Sequence, residues 1–355
     1  MNAEHSMPSH RRVASKPVRR FLGWSMRMIL LVAIAVAGWV AMVVQPFVQS
    51  VVSHPPQASA ARLQAHVKYL SEDLFPRSGD RVENTEKTVE YIYNALIETG
   101  AQVSMQDVIV DGIAYKNVIA RFGPAEGALI VVGAHYDSHG DEIAAAMNAD
   151  ALTADSHTPG ADDNASGVAG LIELADMLGR QPPSQPVELV AYALEEPPYF
   201  RTQDMGSVWH ARSLAEAKRE VKLALSLEMI GYYNDAPGSQ RYPVPMMRYL
   251  YSDRGDFIAL VGRFGDFGEM RRAKALMSGA SPLPTYSINA PASLPGIDFS
   301  DHRSYWPHGY PAVMVTDTAF FRNSNYHKAG DRYETLDYAR MALVVQAVYA
   351  LVQEY

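Results

Sequence analysis

Five short polar clusters hold the side chains that could do chemistry in this chain. Each lies at the end of an apolar run or in a polar, turn-like stretch, and each alone has an ordinary explanation as a solvated turn, a helix cap or exposed charge. Together they are harder to explain, because carboxylates and imidazoles that follow buried strands are costly to desolvate unless they are paired or bound to a metal. The clusters are centred on His135 and Asp137, Asp162 and Asp163, Glu195 and Glu196, Glu228, and Tyr326 and His327.

The donor atoms favour a pair of divalent metal ions. The chain has no cysteine, so any metal must be held by His, Asp and Glu, which suits catalytic rather than closed structural zinc sites. Two doubly charged cations would be balanced by three ligating carboxylates and one bridging hydroxide. Glu195 is left over beside a ligand and is therefore the candidate general base. The residues that supply the ligand set are His135, Asp162, Glu196, Glu228 and His327.

The apolar runs predict the elements that must position these clusters. Short strands alternate with helices, which indicates an α/β fold with a mixed, largely parallel central sheet and helices on both faces. In such sheets ligands bind beyond the carboxyl ends of the strands, where the polar clusters fall. Residues 234–297, rich in Pro, Gly, Tyr and Met, are expected to form an irregular excursion over the core. The predicted strands are 103–110, 117–122, 128–133, 187–194, 222–227 and 311–316, and the predicted helices are 61–74, 82–99, 167–178 and 336–353.

The N-terminal segment predicts a membrane anchor. Residues 28–44 carry no charge and follow a cluster of basic side chains, while the chain beyond residue 50 is acidic and so disfavours nucleic acid as a partner. This asymmetry predicts a cytoplasmic N-terminus and a catalytic domain outside the cytoplasm, in the periplasm or on the outer face. The alternative is a cleaved signal peptide with Ala58-Ser59-Ala60 as the cleavage site. The predicted organisation is a basic tail at 1–23, a transmembrane signal anchor at 24–48, a linker at 49–60 and a catalytic domain at 61–355.

The order and spacing of the clusters resemble those of a known family. They are similar to the co-catalytic zinc peptidases of the twenty-eighth metallopeptidase family, which includes bacterial leucyl aminopeptidases, aminopeptidase Y and glutamate carboxypeptidases. The resemblance runs from about residue 65 to the C-terminus and makes 61–355 a zinc peptidase domain. Further matching segments are Lys116-Asn117-Val118-Ile119, Met205-Gly206-Ser207 and Ser300-Asp301-His302.

The resemblance implies a role for each site residue and two zinc ions per chain. His135 and Glu228 would hold one zinc and Glu196 and His327 the other, with Asp162 bridging them and Glu195 as the general base. Asp137 would orient His135 through a hydrogen bond, and Asp163 is a second supporting residue. The peptide bond between Asp162 and Asp163 is commonly cis in the family. Two departures stand out. Glu228 replaces an Asp, and the tyrosine that often stabilises the oxyanion is missing where Ile297 and Asp298 stand.

Tyr326 and two histidines complete the residues of interest. Tyr326 matches a tyrosine of the carboxypeptidase branch and is a candidate oxyanion donor, with a packed core tyrosine as the equal alternative. His139 and His157 lie in loops that flank the site and could contact substrate, but the expectation is that they are exposed loop residues.

The expected activity is hydrolysis of peptide bonds at peptide termini, with aminopeptidase activity first. Three alternatives stay open: a glutaminyl cyclase-like enzyme with a single zinc, a carboxypeptidase of the same fold, and a catalytically inactive relative of the transferrin receptor type. Peptides are the expected substrates.

Overall fold

The computed structural model describes residues 16–140 and 157–355, so most of the predicted basic tail at 1–23 lies outside the described residues. The chain falls into two compact units, residues 1–42 and 43–355. The first contains most of helix α1 (Lys16–Val44). Within α1, the 21 residues Trp24–Val44 have a mean hydropathy of 2.4 and are long and apolar enough to cross a membrane.

The second unit is built on a sheet of eight strands in the order β1-β2-β4-β3-β5-β8-β6-β7. The central strands β4, β3, β5 and β8 are parallel neighbours, whereas β1 and β2 form an antiparallel edge and β6 runs antiparallel to β8. The prediction of a mixed sheet with a parallel centre is confirmed. The strands are β1 (Gln102–Val110), β2 (Ile113–Phe122), β3 (Leu129–His135), β4 (Val187–Tyr192), β5 (Val221–Glu228), β6 (Ile258–Arg263), β7 (Thr285–Ala290) and β8 (Ala312–Thr316).

Helices cover both faces of this sheet, as predicted. Alternate residues of β3 and β4 enter different hydrophobic clusters: Val132 and Leu189 pack with one set of helices, and Val131 and Val190 pack with α5 on the other face. The helices are α2 (Ala60–Lys68), α3 (Val82–Ile97), α4 (Gly167–Arg180), α5 (Gly206–Glu216), α6 (Phe267–Ala280) and α7 (Tyr338–Glu354).

The expectation of an irregular excursion at 234–297 is wrong for its second half. That stretch contains β6, α6 and β7, and β6 extends the central sheet by pairing with β8. Prolines and glycines on either side obscure short apolar strands in the sequence, and the sheet edge supplies the hydrogen bonds that stabilise them. Helix α5 was not predicted either.

The chain after α1 lies extended along α6. The N–H groups of Val51 and Ser53 donate to the carbonyls of Ala275 and Gly279, at 2.9 and 3.3 Å. Further on, the buried carboxylate of Glu173 accepts hydrogen bonds from the N–H of Ser59 and from the Arg62 guanidinium. Residues 49–60, predicted as a linker, therefore belong to the second unit and include segments hydrogen-bonded to its helices.

Candidate metal centre

The parallel strands bring their carboxyl ends together, and the first group of donor atoms lies there. His135 is the last residue of β3 and Glu228 the last of β5. The Nε2 of His135 lies 3.4 Å from Oε2 of Glu228 and 3.4 Å from Oδ1 of Asp163. The donor atoms of these three buried residues lie close enough together to hold one metal ion.

A second group of donor atoms adjoins the first. It consists of His139, Glu196 and His327, whose donor atoms are also close enough to hold one ion. Oε2 of Glu196 lies 3.5 Å from Nδ1 of His139 and 3.3 Å from Nε2 of His327. Nε2 of His327 also lies 3.1 Å from Oδ2 of Asp163. The two oxygens of Asp163 thus face the histidines of different groups, and this carboxylate stands between them.

The structure does not place Asp162, the predicted bridging residue, between the two donor groups, and the neighbouring Asp163 stands there instead. The Asp162 carboxylate points away, where it accepts hydrogen bonds from the N–H of Gly231 and the side-chain amide of Asn323, both at 3.0 Å. The backbone leaves helical geometry at Asp163 and Asn164, so the two neighbouring carboxylates diverge. The cis peptide bond joins Asp163 to Asn164, not Asp162 to Asp163 as expected.

Asp137 supports three residues of the site. Its Oδ1 lies 3.5 Å from Nδ1 of His135, while its two oxygens accept the backbone N–H groups of Glu195 and Glu196 at 3.1 and 2.9 Å. The predicted contact with His135 is therefore present. The bonds to the loop after β4 were not predicted, and they fix both glutamates against the end of β3.

Glu195 lies beside the first donor group. Its Oε2 is 3.9 Å from Nε2 of His135. Burial raises the pKa of Glu195 well above its usual value, and the charge of Glu228 adds to that shift. A buried carboxyl with a raised pKa, next to but outside the donor groups, is suited to accept and return a proton.

The donor atoms fit zinc by their chemistry and by what they lack. Within the described part of the chain, Nε2 of His135, Nδ1 of His139 and Oε1 of Glu196 are buried and have no hydrogen-bond partner. Buried polar atoms are nearly always satisfied, so unpartnered atoms that converge on one place indicate a ligand. Imidazole nitrogens and carboxylate oxygens in groups of three are the ligands of catalytic zinc. The residues therefore fit the metal.

His139 is a donor that sequence reasoning missed. The expectation of an exposed histidine is wrong, since the ring of His139 is largely buried and stacks on His327 with the ring centroids 3.9 Å apart. Its spacing of four residues from His135, just beyond a strand end, was the available signal. His157 is also buried and lies 3.3 Å from Asp80.

Tyr326 flanks the second donor group. Its ring stacks on His327 with the centroids 3.8 Å apart. It also lines an apolar cavity, hereafter the apolar pocket, which reaches from Tyr326 and Glu228 into the region of β6 and β7. Most of the pocket wall is formed by residues of 240–299, including Tyr242, Met247, Tyr251, Phe257, Ala259 and Phe299. The stretch that was expected to be irregular therefore builds a cavity beside the donor groups.

With the fold and donor groups in place, the chain can be compared with known proteins. Residues 117–352 match the sequence description of peptidase family M28, and this chain belongs to that family. The resemblance drawn from the polar clusters is confirmed. Family and donor groups together support a zinc metallopeptidase.

Three relatives show how far the likeness extends. The chain is 52% identical over 307 residues to the uncharacterized protein YfbL of Escherichia coli, covering 86% of this chain and 92% of that protein. It is 26% identical over 292 residues to a probable leucine aminopeptidase of Trichophyton verrucosum, covering 80% and 69%. A glutaminyl cyclase structure from Bacteroides thetaiotaomicron superposes with a TM-score of 0.62 at 17% identity, covering 85% of this chain and all (100%) of that one. The last likeness shows the shared fold.

Proposed function

We propose that this protein is a membrane-anchored aminopeptidase that uses two zinc ions per chain, with Glu195 as the general base. The observation that carries the proposal is the position of Asp163, whose oxygens lie 3.4 and 3.1 Å from the histidines of two separate donor groups. One group would suffice for a single-ion enzyme. Two groups that share a carboxylate suit a pair of ions acting on one bond.

Compared with the five ligands predicted from the sequence, Asp163 replaces Asp162 and His139 is added. His135, Glu228 and Asp163 would hold one ion, and His327, Glu196 and Asp163 the other, with His139 available to the second. Zinc, when bound, lowers the pKa of a coordinated water and polarises the scissile carbonyl. Glu228 is held in place by the hydroxyl of Ser300, which donates to its Oε2 at 2.7 Å. That bond fixes the longer side chain where the better-known relatives have Asp.

Glu195 performs the proton transfers in this proposal. It accepts the proton of the attacking water and passes it to the leaving amine. Burial raises the pKa of Glu195, which favours uptake of the proton from the attacking water by the carboxylate. Tyr326, stacked on His327, is the proposed hydrogen-bond donor to the oxyanion.

The apolar pocket supports a preference for a large apolar terminal residue. It begins at Glu228 and Tyr326 and is lined mainly by aromatic and aliphatic side chains. The name of the Trichophyton verrucosum relative, a probable leucine aminopeptidase, agrees with such a preference.

The proposed location rests on α1. A helix that can cross a membrane, preceded by a basic segment and followed by an acidic unit, supports a single N-terminal anchor with the catalytic unit outside the cytoplasm. Protease treatment of sealed inner-membrane vesicles whose cytoplasmic face is outward tests the orientation. The catalytic unit should be protected inside the vesicles, and its digestion from the cytoplasmic face would refute the proposed location.

The decisive experiment identifies which end of a peptide shortens. The full-length chain in detergent, supplied with zinc, is incubated with a leucine-initiated peptide in three forms: free at both ends, N-acetylated, and C-amidated. Mass spectrometry should show loss of the N-terminal residue from the free and amidated forms and no change in the acetylated one. Shortening of the acetylated form from its C-terminus would make the enzyme a carboxypeptidase.

A glutaminyl cyclase is the second candidate, because a protein of that activity shares the fold. It would convert an N-terminal glutaminyl peptide with loss of ammonia and would bind one zinc per chain. Metal content of the purified chain and the mass of the product separate the two functions.

A further inference from the structure

Two arginines stand close together beside the apolar pocket. Arg201 donates to Oδ1 of Asp298 at 2.6 Å, and Nε of Arg303 lies 3.5 Å from Oδ2 of the same carboxylate. Both guanidinium groups also contact the ring of Phe200, at 5.2 and 5.9 Å from its centroid. The two guanidinium groups, here called the arginine pair, are thus held together by one acid and one ring.

The arginine pair keeps an unbalanced positive charge in a partly buried place. Asp298 neutralises one of the two guanidinium groups, and the side chains of Arg201 and Arg303 are 45% and 27% exposed. Within the described residues, Nε of Arg303 is buried and has no hydrogen-bond partner. Guanidinium groups bind carboxylates through paired N–H donors, so one anionic group is the natural complement of this pair.

A second cavity opens onto the arginine pair and adjoins the apolar pocket. The two cavities share Leu294, Pro295 and Phe299 as walls. The backbone also ties them to the donor groups, since Ser300, whose hydroxyl donates to Glu228, lies one short turn before Arg303.

The side of the scissile bond follows from the arrangement of the two cavities. An aminopeptidase binds no residue ahead of the terminal one, so a cavity that shares walls with the apolar pocket can take only the leaving residue or one after it. The arginine pair, which lines that cavity, is therefore on the leaving-residue side of the site.

We propose that Arg201 and Arg303 bind a carboxylate of the leaving residue, which makes very short peptides, and dipeptides above all, the preferred substrates. In a dipeptide this carboxylate is the free C-terminus. An acidic side chain on the leaving residue offers the same chemistry from a second source. The inference rests on the proposed aminopeptidase function and narrows its substrate class.

The test compares Leu-Leu, Leu-Leu-amide and Leu-Asp-amide as substrates of the full-length, zinc-supplied chain. Loss of a charged hydrogen-bonding partner should lower kcat/KM for Leu-Leu-amide about ten- to a hundredfold relative to Leu-Leu, mainly through KM. In Arg303→Gln and Arg201→Gln this preference should shrink to about threefold or less, and Arg303→Lys should restore part of it. Arg180→Gln, which alters an exposed arginine on α4 paired with Asp176, should retain the full preference.

The outcomes are distinct. Equal kcat/KM for Leu-Leu and Leu-Leu-amide overturns the carboxylate site and leaves the aminopeptidase proposal intact. A gain for Leu-Asp-amide over Leu-Leu-amide that disappears in the arginine variants supports the site and assigns it to side-chain carboxylates as well.

A binding measurement separates this proposal from the hydrolytic one. Calorimetry on the Glu195→Gln chain compares the affinities of Leu-Leu and Leu-Leu-amide without turnover. Tighter binding of Leu-Leu, lost on combining Glu195→Gln with Arg303→Gln, supports the carboxylate site even if the unmodified chain hydrolyses neither peptide. Equal affinities refute it.

Discussion

Exchanging the carboxylates of Asp162 and Asp163 for amides, one at a time, tests the corrected assignment of the bridging residue. Asp163 lies between the two donor groups, whereas Asp162 accepts hydrogen bonds from Gly231 and Asn323. The side chains are adjacent, equally buried and chemically identical, so each substitution is the control for the other.

The expected loss of stability in Asp163→Asn follows from the linkage between zinc binding and folding. An ion at about a thousand times its Kd stabilises the folded chain by about 4 kcal/mol. Loss of an inner ligand should cost at least the hundredfold in affinity that outer-sphere changes reach, which lowers this gain by about 3 kcal/mol per ion. Because Asp163 faces both groups, Asp163→Asn should remove roughly 6 kcal/mol of zinc-dependent stability, or about 10 °C of the zinc-induced rise in Tm.

Asp162→Asn should behave in the opposite way. The amide keeps one acceptor oxygen but replaces the other with a donor facing Asn323 or Gly231, which should lower stability by about 1 to 3 kcal/mol with or without zinc. The zinc-induced shift in Tm should remain as large as in the unmodified chain.

The assay is thermal unfolding of the full-length chain in detergent, in chelator and in excess zinc, with bound zinc counted per chain. If Asp162→Asn abolishes the zinc response while Asp163→Asn preserves it, the reading of the geometry is refuted and the sequence-based assignment stands.

Three further predictions concern single residues outside the metal ligands. Glu195→Gln should retain two zinc ions per chain by metal analysis but lose activity by about 10² to 10⁴-fold in kcat; full activity with a leucine peptide would contradict its role as base. Ala259→Leu adds volume to the wall of the apolar pocket. In paired steady-state assays it should raise KM for leucine-initiated peptides more than for alanine-initiated ones. An equal effect on both peptides would argue against the pocket as the site of the terminal side chain. Burial lowers the pKa of Lys274 from 10.5 to about 8. Between these pH values the unfolded chain holds the proton more tightly than the folded chain, so this residue makes the free energy of unfolding rise with pH. Lys274→Met should remove this contribution in thermal melts across pH 8 to 10.5, and an unchanged slope would contradict it.

Much of the fold could be predicted because hydrophobic periodicity and burial agree in the central strands. The runs at β3, β4, β5 and β8 are buried on both faces, so nearly every residue in them is apolar. The segment with β6, α6 and β7 could not be predicted in this way. Its strands are six residues long and lie among prolines, glycines and polar residues, so that tertiary hydrogen bonds rather than local pattern decide their conformation.

Four of the five ligands predicted from the sequence lie in the donor groups, but the choice between two adjacent acids could not be made from the sequence. Adjacent acids such as Asp162 and Asp163 carry the same chemistry, and the backbone turn that separates them depends on contacts with distant residues. His139 failed for a related reason. A histidine in a polar stretch is usually exposed, and its burial here depends on stacking with His327, nearly two hundred residues further along the chain.

The acidic pairs Glu195-Glu196 and Asp162-Asp163 are oriented by the same type of contact. In each, one buried aspartate accepts hydrogen bonds from two successive backbone N–H groups. Asp137 binds the amides of Glu195 and Glu196, and Asp331 binds those of Asp162 and Asp163 at 2.9 and 3.1 Å. Two consecutive amides can point at one acceptor only where the chain leaves regular strand or helix geometry, so neighbouring side chains are freed from their usual alternation. In the first pair both carboxylates consequently lie at the donor groups, while in the second they diverge and Asp163 alone does. The orientation of both acidic pairs is therefore set by aspartates outside the donor groups, and Asp331 had no signal in the sequence because it binds backbone N–H groups and is not itself a member of a donor group.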